Sequence, residues 1–205
     1  MVVMDVGGGK NPVIAPELKA SLRLQVIGVD ITQSELNAAP PGCYDQIICG
    51  DITTATGLPG ADLVISRSVT EHVEDPTAMY LNIFRVLRPG GLVVAYVPNK
   101  FALFALVNAA IPNRLSKVLL GFFHWETKEE TGFPVLYRRC YPTSFEALLL
   151  GVGFRIVRVH LSYRSEYCNF FVPLHAAELV WQLFTSHLNL RNLCEGFTIV
   201  AQKQS

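Results

Sequence analysis

The stretch Val2–Gly9 reads VVMDVGGG and decides the fold class of this 205-residue chain. Its first five residues are apolar except for Asp5, which predicts a buried strand over Val2–Val6. Three glycines follow at once, and glycine lets a backbone turn tightly and approach a ligand closely. A strand that ends in such a turn is typical of the ligand-binding edge of an α/β sheet.

Further along the chain, short apolar runs alternate with helical patterns, which predicts βαβ units and a mainly parallel sheet. The fold class expected is a single Rossmann-like α/β domain over residues 1–205, with helical insertions near 101–124 and 165–192. The further strands predicted are Leu24–Asp30, Tyr44–Cys49, Ala61–Ser66, Leu92–Val97, Arg155–Ser162 and Gly196–Gln202. Three helices are predicted from start signals: a brief one opened by a Thr32/Glu35 capping box, one opened by Asp75-Pro76 that runs to about Leu87, and one opened by a Thr143/Glu146 capping box that runs to about Leu150. Two further helices are predicted over Pro16–Leu22 and Val172–Leu188.

Composition excludes several classes of function. The chain is 50% apolar, and its 17 Lys and Arg residues equal its 17 Asp and Glu residues, so a nucleic-acid partner held by phosphate neutralisation is not expected. Five scattered cysteines without a CxxC pair predict reduced thiols and no zinc site. No signal peptide and no apolar run of membrane-spanning length are recognised, so a cytoplasmic location is expected.

An acid follows the second predicted strand. Asp30 ends this strand about 20 residues after the glycine turn, where a carboxylate can accept hydrogen bonds from both hydroxyls of a ribose. At this point a nicotinamide-dependent (NAD(P)) oxidoreductase fits as well as any other nucleoside-binding enzyme. Such an enzyme also needs a Tyr-x-x-x-Lys pair or an equivalent site for hydride transfer.

Later motifs distinguish between these classes. Asp5 lies two residues before the first glycine, where dinucleotide-binding turns usually carry an apolar residue. Gly50-Asp51-Ile52 follows strand three, E-H-V-E-D-P occupies residues 71–76, and R-V-L-R-P-G-G occupies residues 85–91. This order of segments resembles the class I methyltransferases that depend on S-adenosylmethionine (SAM), in particular their type 11 branch. The resemblance is strong from Val2 to about Asn99.

The resemblance implies SAM as the cofactor and a sheet in the order 3-2-1-4-5-7-6 with the last strand antiparallel. It also implies a set of cofactor-binding positions. Asn11 stands where the family commonly has a third glycine, and asparagine tolerates a left-handed backbone better than most residues. The implied contacts are Asp5, Gly7, Gly8 and Gly9 for the methionine end, Asp30 for the ribose, Asp51 and Ile52 for adenine, and Ser66 and Arg67 near the methionine end. Ile31 is a further cofactor-binding position.

Two histidines are candidate catalytic bases, since a base is required only when the acceptor must lose a proton. His72 follows strand four, and His124 follows the first apolar insertion; either could instead have a purely structural role. Some related quinone O-methyltransferases bind a metal through E-x-x-E-H in this loop. Here Ser68 replaces the first acid, so no metal is predicted.

The acceptor side of the chain leaves several alternatives open. Two apolar insertions, Phe101–Phe123 and Phe170–Leu188, could form a lid, a homodimer interface or a peripheral membrane contact. With Asn99 after strand five, they look like those of methyltransferases that act on bacterial cell-surface glycans. Four residues could line an acceptor pocket or form a solvated edge: Tyr137, Arg138, Arg139 and Tyr141.

The function predicted from the sequence is SAM-dependent methylation of a small-molecule, glycan-linked or lipid-linked acceptor. Oxygen is favoured over carbon and nitrogen as the atom that is methylated. One alternative is a non-catalytic member of the fold that binds SAM or acts through its insertions. The other is the NAD(P)-dependent oxidoreductase.

Overall fold

The computed structural model describes residues 1–103, 105–106, 134–165 and 172–204. Seven strands form one sheet in the order β3-β2-β1-β4-β5-β7-β6, and β7 runs antiparallel to both of its neighbours. The predicted fold class and strand order are therefore confirmed. The strands are β1 Val2–Val6, β2 Gln25–Asp30, β3 Gln46–Cys49, β4 Ala61–Arg67, β5 Leu87–Pro98, β6 Phe154–Ser162 and β7 Gly196–Lys203.

Five α-helices connect and flank the strands in the described part of the chain. Short 3₁₀ turns lie at Thr70–His72 and Arg191–Leu193. None of the helices in the described ranges is long and apolar enough to cross a bilayer. The helices are α1 Pro16–Ser21, α2 Gln33–Asn37, α3 Pro76–Val86, α4 Pro142–Val152 and α5 Val172–His187.

Both faces of the central strands are buried, which is why these strands are almost continuously apolar. Along β1, Met4 belongs to the larger core, whereas Val3 packs with Val26 on the opposite face. The larger core includes residues of α3 and α4, whose Tyr80 and Phe145 rings meet edge to face at 5.2 Å. The packed sheet therefore fixes where its strands end.

The entry into α3 follows the prediction. The Asp75 carboxylate accepts hydrogen bonds from the backbone N–H groups of Thr77 and Ala78, at 2.9 and 3.0 Å. Pro76 occupies the first helical position, where its missing N–H costs nothing. This cap begins the helix directly after the E-H-V segment and so sets the position of that segment.

The predicted break between α3 and strand five is wrong. Pro89-Gly90-Gly91 was expected to precede a strand beginning at Leu92, but β5 begins at Leu87, which pairs with Ala61 of β4. The register shifts beside this pairing, and Gly90 has a φ of 77°. The strand therefore accommodates the glycines as an irregularity and is not ended by them.

The predicted capping boxes of α2 and α4 are also wrong. Thr32 makes no side-chain cap hydrogen bond, and α4 begins at Pro142, one residue before Thr143. Glu146 instead pairs with Arg191 from the second 3₁₀ turn. Thr143 therefore lies inside the first turn of α4, where its N–H donates to Oδ1 of Asn192 at 3.2 Å.

Candidate cofactor site

The strand register brings the predicted cofactor residues to one edge of the sheet. Val6 pairs with Val29 of β2 on one side and with Ser66 of β4 on the other. The glycine turn, Asp30 and Arg67 therefore follow directly from three adjacent parallel strands. In open α/β sheets, ligands bind at this carboxyl edge, where neighbouring connections diverge.

The glycine turn has no room for side chains. Gly7 has a φ of 73°, and its N–H donates to the carbonyl of Val29 at 2.7 Å. A Cβ atom on Gly7 would lie 2.2 Å from Cγ2 of Val69, and one on Gly8 would lie 2.5 Å from the Tyr44 hydroxyl oxygen. The turn is therefore a backbone surface held against two neighbouring side chains.

Asp5 supports this turn from behind. Its carboxylate is fully buried and accepts a hydrogen bond from the N–H of Val13 at 2.8 Å. Desolvation by burial raises the pKa of Asp5 to about 6, although the Val13 hydrogen bond and the charge of Arg67 oppose the rise. Among the described residues, its Oδ1 atom has no hydrogen-bond partner. A buried acceptor of this kind is a place where a bound ligand or water can donate.

Tyr44 is part of the site. The sequence predicts it only as the first residue of strand three and does not identify it as a site residue. The hydroxyl of Tyr44 donates to the carbonyl of Gly9 at 3.2 Å. Its ring lies over Gly28 of β2, where a Cβ atom would come within 2.9 Å of the ring carbons. The glycine in β2 is thus the sequence signal for an aromatic ring packed on this face.

The predicted ribose ligand lies against the turn. Asp30 Oδ1 accepts a hydrogen bond from the N–H of Thr32 at 2.9 Å. Its Oδ2 atom lies 3.1 Å from the place a Cβ on Gly9 would occupy. Ile31, the next residue, exposes 56% of its surface. A carboxylate and an apolar side chain thus stand side by side next to the glycine turn.

The predicted adenine residues begin the loop after β3. Asp51 Oδ1 accepts hydrogen bonds from both the N–H and the hydroxyl of Thr53, each at 2.8 Å. Ile52 is buried in the larger core, and its carbonyl accepts from Asn82 Nδ2 of α3 at 2.9 Å. The Asp51 side chain therefore shapes the loop, while Ile52 anchors it to α3.

Arg67 connects the end of β4 to the glycine turn. The guanidinium donates to the carbonyl of Asn11 at 3.1 Å, while the preceding Ser66 is buried. Asn11 donates its own N–H to Gly8 at 2.8 Å and is not among the described residues with a positive φ. The left-handed backbone considered for Asn11 is therefore not used, and Arg67 holds this part of the turn in place.

One ring nitrogen of His72 contacts a backbone carbonyl, and the other lies near a carboxylate. Its Nδ1 lies 3.2 Å from the carbonyl oxygen of Pro134, and its Nε2 lies 3.8 Å from Oε1 of Glu71. Because a carbonyl only accepts, this contact favours the tautomer with the proton on Nδ1. The second candidate base, His124, lies outside the described residues, as does most of the first insertion.

Glu71 is a buried acid whose importance the sequence analysis missed. Burial raises the pKa of its carboxyl group, and no described residue hydrogen-bonds its Oε2 atom. Its backbone carbonyl accepts from the N–H groups of Leu136 and Tyr137, at 2.7 and 3.0 Å. The E-H pair therefore joins the loop after β4 to the segment that precedes α4.

A cation and two aromatic rings lie beyond the end of β5. The Lys100 ammonium lies 4.9 Å from the ring centroid of Phe101 and 5.6 Å from that of Tyr141. Arg138 forms an exposed ion pair with Glu74 at 3.4 Å, whereas Arg139 adopts a φ of 61°. Among the four predicted pocket residues, Tyr141 thus packs with this cation.

Tyr96 and Lys100 have the Tyr-x-x-x-Lys spacing that the oxidoreductase alternative requires. They lie on β5 and just after its end, where the chain advances roughly 3.3 Å per residue, so the two positions are separated along the strand. Along a strand, positions four apart share a face but lie roughly 13 Å apart, whereas one turn of a helix brings them side by side. The motif therefore lacks the helical setting that would bring its two side chains together.

Asn99 has a structural role at the same end of β5. Its buried amide donates to the carbonyls of Asn192 and Cys194, at 2.9 and 2.7 Å, and so fixes the entry into β7.

Within the described ranges, no group of three or more His, Cys, Asp or Glu side chains could hold a metal ion.

Comparisons with known proteins agree with this geometry. Residues 4–95 match the methyltransferase-domain family. An uncharacterised methyltransferase of Mycolicibacterium gilvum is 34% identical over 98 residues, which cover 46% of this chain and 38% of that relative. The matched segment is thus well under half of the relative's length.

Solved structures share the fold over nearly the whole chain. A SAM-dependent methyltransferase from Archaeoglobus fulgidus has a TM-score of 0.62 at 21% identity, covering 98% of this chain and 86% of that chain. Phosphoethanolamine N-methyltransferase 2 of Haemonchus contortus, solved with SAM, has a TM-score of 0.59 at 16% identity, covering 100% of this chain and 49% of that chain. These likenesses show a shared fold, and over residues 4–95 the chain is similar to the methyltransferase-domain family.

Proposed function

We propose that this protein transfers the methyl group of SAM to an oxygen atom of a small-molecule, glycan-linked or lipid-linked acceptor. The observation that carries the proposal is the meeting of the glycine turn, Asp30 and Arg67 at the carboxyl edge of three adjacent strands. The family match over residues 4–95 favours this activity over NAD(P)-dependent hydride transfer.

The residues at this edge fit the parts of SAM. A Cβ on Gly7 or Gly8 would collide with Val69 or Tyr44, so glycine keeps the turn tight and leaves its backbone as the surface that SAM would approach. The unpartnered Oδ1 atom of Asp5 suits the amino group at the methionine end, and Asp30 suits the two ribose hydroxyls. Ile31 and the loop that begins at Asp51 would flank the adenine ring.

When bound, SAM supplies a methyl group on a positively charged sulfur, so an O–C bond forms as the S–C bond breaks and its electron pair stays on sulfur. The protein then has to align the acceptor and remove its proton. With its proton on Nδ1 facing the carbonyl of Pro134, His72 keeps a lone pair on Nε2 for this step. The nearby Glu71 carboxylate would stabilise the imidazolium that results.

Replacing Asp30 tests the donor site. Asp30→Ala is expected to weaken SAM binding by about 1–3 kcal/mol, because the ribose hydroxyls lose their acceptor. Asp30→Asn keeps an acceptor for the N–H of Thr32 and should lose less. Isothermal titration calorimetry with SAM measures both variants, and Glu17→Ala, an exposed acid on α1, is the control. An unchanged affinity of Asp30→Ala would remove this residue from the ribose site.

Replacing His72 tests the proposed base. His72→Ala should bind SAM as the wild type does but slow methyl transfer by roughly 100-fold or more, because the acceptor hydroxyl keeps its proton. The assay follows labelled methyl from SAM into a hydroxylated acceptor found by screening. His160→Ala, on the exposed side of β6, is the matched control. A full-rate His72→Ala enzyme would leave His72 with only its loop contacts.

A further inference from the structure

Helix α5 turns its polar side inward and its apolar side outward. Glu178 and Gln182 are both buried. The Glu178 carboxylate accepts a hydrogen bond from the Ser165 hydroxyl and lies 3.2 Å from Nδ1 of His175. Gln182 donates to the carbonyl of Ser165 at 3.1 Å. These contacts set the rotation of the helix about its own axis, so its apolar residues remain outside.

The residues on the outside form a continuous helical surface, here named the α5 apolar face. Val180 exposes 67% of its surface and Leu183 69%. A contiguous exposed apolar surface on a folded domain is typical of an interaction site. The members of the α5 apolar face are Val172, Leu179, Val180, Leu183, Phe184 and, just after the helix, Leu188.

Charge indicates what covers this face. Within Val172–His187 the only acid is the inward-facing Glu178, and there is no lysine or arginine. Helices that lie on a bilayer commonly use lysine and arginine to bind anionic headgroups, and α5 offers none. A two-fold contact brings each residue against the same face of another copy, where charges of one sign would repel. An uncharged face is suited to such a contact.

We propose that the α5 apolar face binds the same face of a second copy of this chain about a two-fold axis. The cores of protein interfaces are poor in charge, and those of homodimers are more apolar than the rest of the surface. The α5 apolar face is uncharged and apolar throughout, and the ring of its one aromatic member, Phe184, lies 6.3 Å from that of Trp181 on the same helix. The contact removes exposed leucine and valine from water without disturbing the buried hydrogen bonds of Glu178.

The test is the mass of the full chain in solution, measured by light scattering after size-exclusion chromatography. A roughly 100-fold range of protein concentration is needed, because a dimer population follows mass action. We expect the wild type to have twice the chain mass at the upper concentrations. Leu183→Glu and Val180→Glu should weaken the dimer by about 100-fold or more, since each buries two like charges at the contact.

Leu150→Glu is the matched control, because Leu150 on α4 is 58% exposed and outside this face. It should remain dimeric, and all three variants should keep the circular dichroism spectrum of the wild type. A monomeric wild type at every concentration would overturn the proposal, as would a Leu183→Glu protein that stays dimeric. Flotation with phosphatidylcholine–phosphatidylglycerol vesicles tests for lipid binding. If the wild type is monomeric and binds these vesicles, and Leu183→Glu abolishes the binding, the face binds lipid and the dimer proposal is overturned. None of these readouts depends on methyl transfer.

Discussion

Gly7→Ala is expected to lower SAM affinity by roughly 100-fold or more, equivalent to about 3 kcal/mol. The added Cβ would lie 2.2 Å from Cγ2 of Val69, a branched side chain with little freedom to rotate away. The left-handed backbone at Gly7 adds a cost of about 1–2 kcal/mol for alanine. Calorimetric titration measures the loss of SAM affinity, and chemical unfolding without ligand measures the loss of folding stability.

Gly57→Ala separates these two causes. Gly57 has a φ of 71°, close to the 73° of Gly7, but a Cβ there meets nothing within 4 Å. This control should lose about 1–2 kcal/mol of folding stability from the backbone alone and bind SAM normally. If the two variants bind SAM equally well, the glycine turn does not form the cofactor surface.

Asp5→Asn is expected to remove a pH dependence from folding stability. Burial raises the pKa of Asp5 from 3.8 to about 6, so the folded state holds this proton more tightly than the unfolded state. Wild-type stability should therefore fall as the pH rises from about 4 to about 6, and the loss should persist above that range. A pKa change of this size corresponds to about 3 kcal/mol. Asparagine stays neutral and can still accept from the N–H of Val13.

The measurement is the free energy of urea unfolding at a series of pH values in the absence of SAM. The advantage of Asp5→Asn over the wild type should grow by about 3 kcal/mol across this window. Asp62→Asn is the control, because hydrogen bonds from Val2 and Arg88 hold the pKa of Asp62 below its ordinary value. Its curve should run parallel to the wild type above pH 4.5 or so. If the curve of Asp5→Asn also ran parallel to that of the wild type, ionising Asp5 would cost no more in the folded state than in the unfolded state.

The sheet could be predicted from the sequence because its central strands are buried on both faces and appear as apolar runs. The resemblance over the first half of the chain implied the strand order, which the structure confirms. The start of β5 could not be predicted in this way. Pro89-Gly90-Gly91 has the composition of a turn, and only the pairing of Leu87 with Ala61 draws it into the sheet.

Site residues that depend on contacts distant in sequence were harder to predict. Tyr44 lies 35 positions from the glycine whose carbonyl it binds, and only the absence of a side chain at Gly28 signals its ring. Glu71 is charged and so suggests exposure, yet it is buried between loops. The polar residues of α5 suggest a solvated side, but the partly buried Ser165 and His175 provide partners that keep Glu178 buried.

The central claim is that this edge of the sheet binds SAM, and calorimetric titration of the purified chain with SAM, S-adenosylhomocysteine and NADH tests it most directly. We expect both adenosyl ligands to bind with dissociation constants on the order of micromolar, about −8 kcal/mol, and NADH not to bind. Binding of NADH alone would contradict the account and favour an oxidoreductase. Binding of none of the three would contradict it as well, because the glycine turn, Asp5 and Asp30 would then lack the ligand assigned to them.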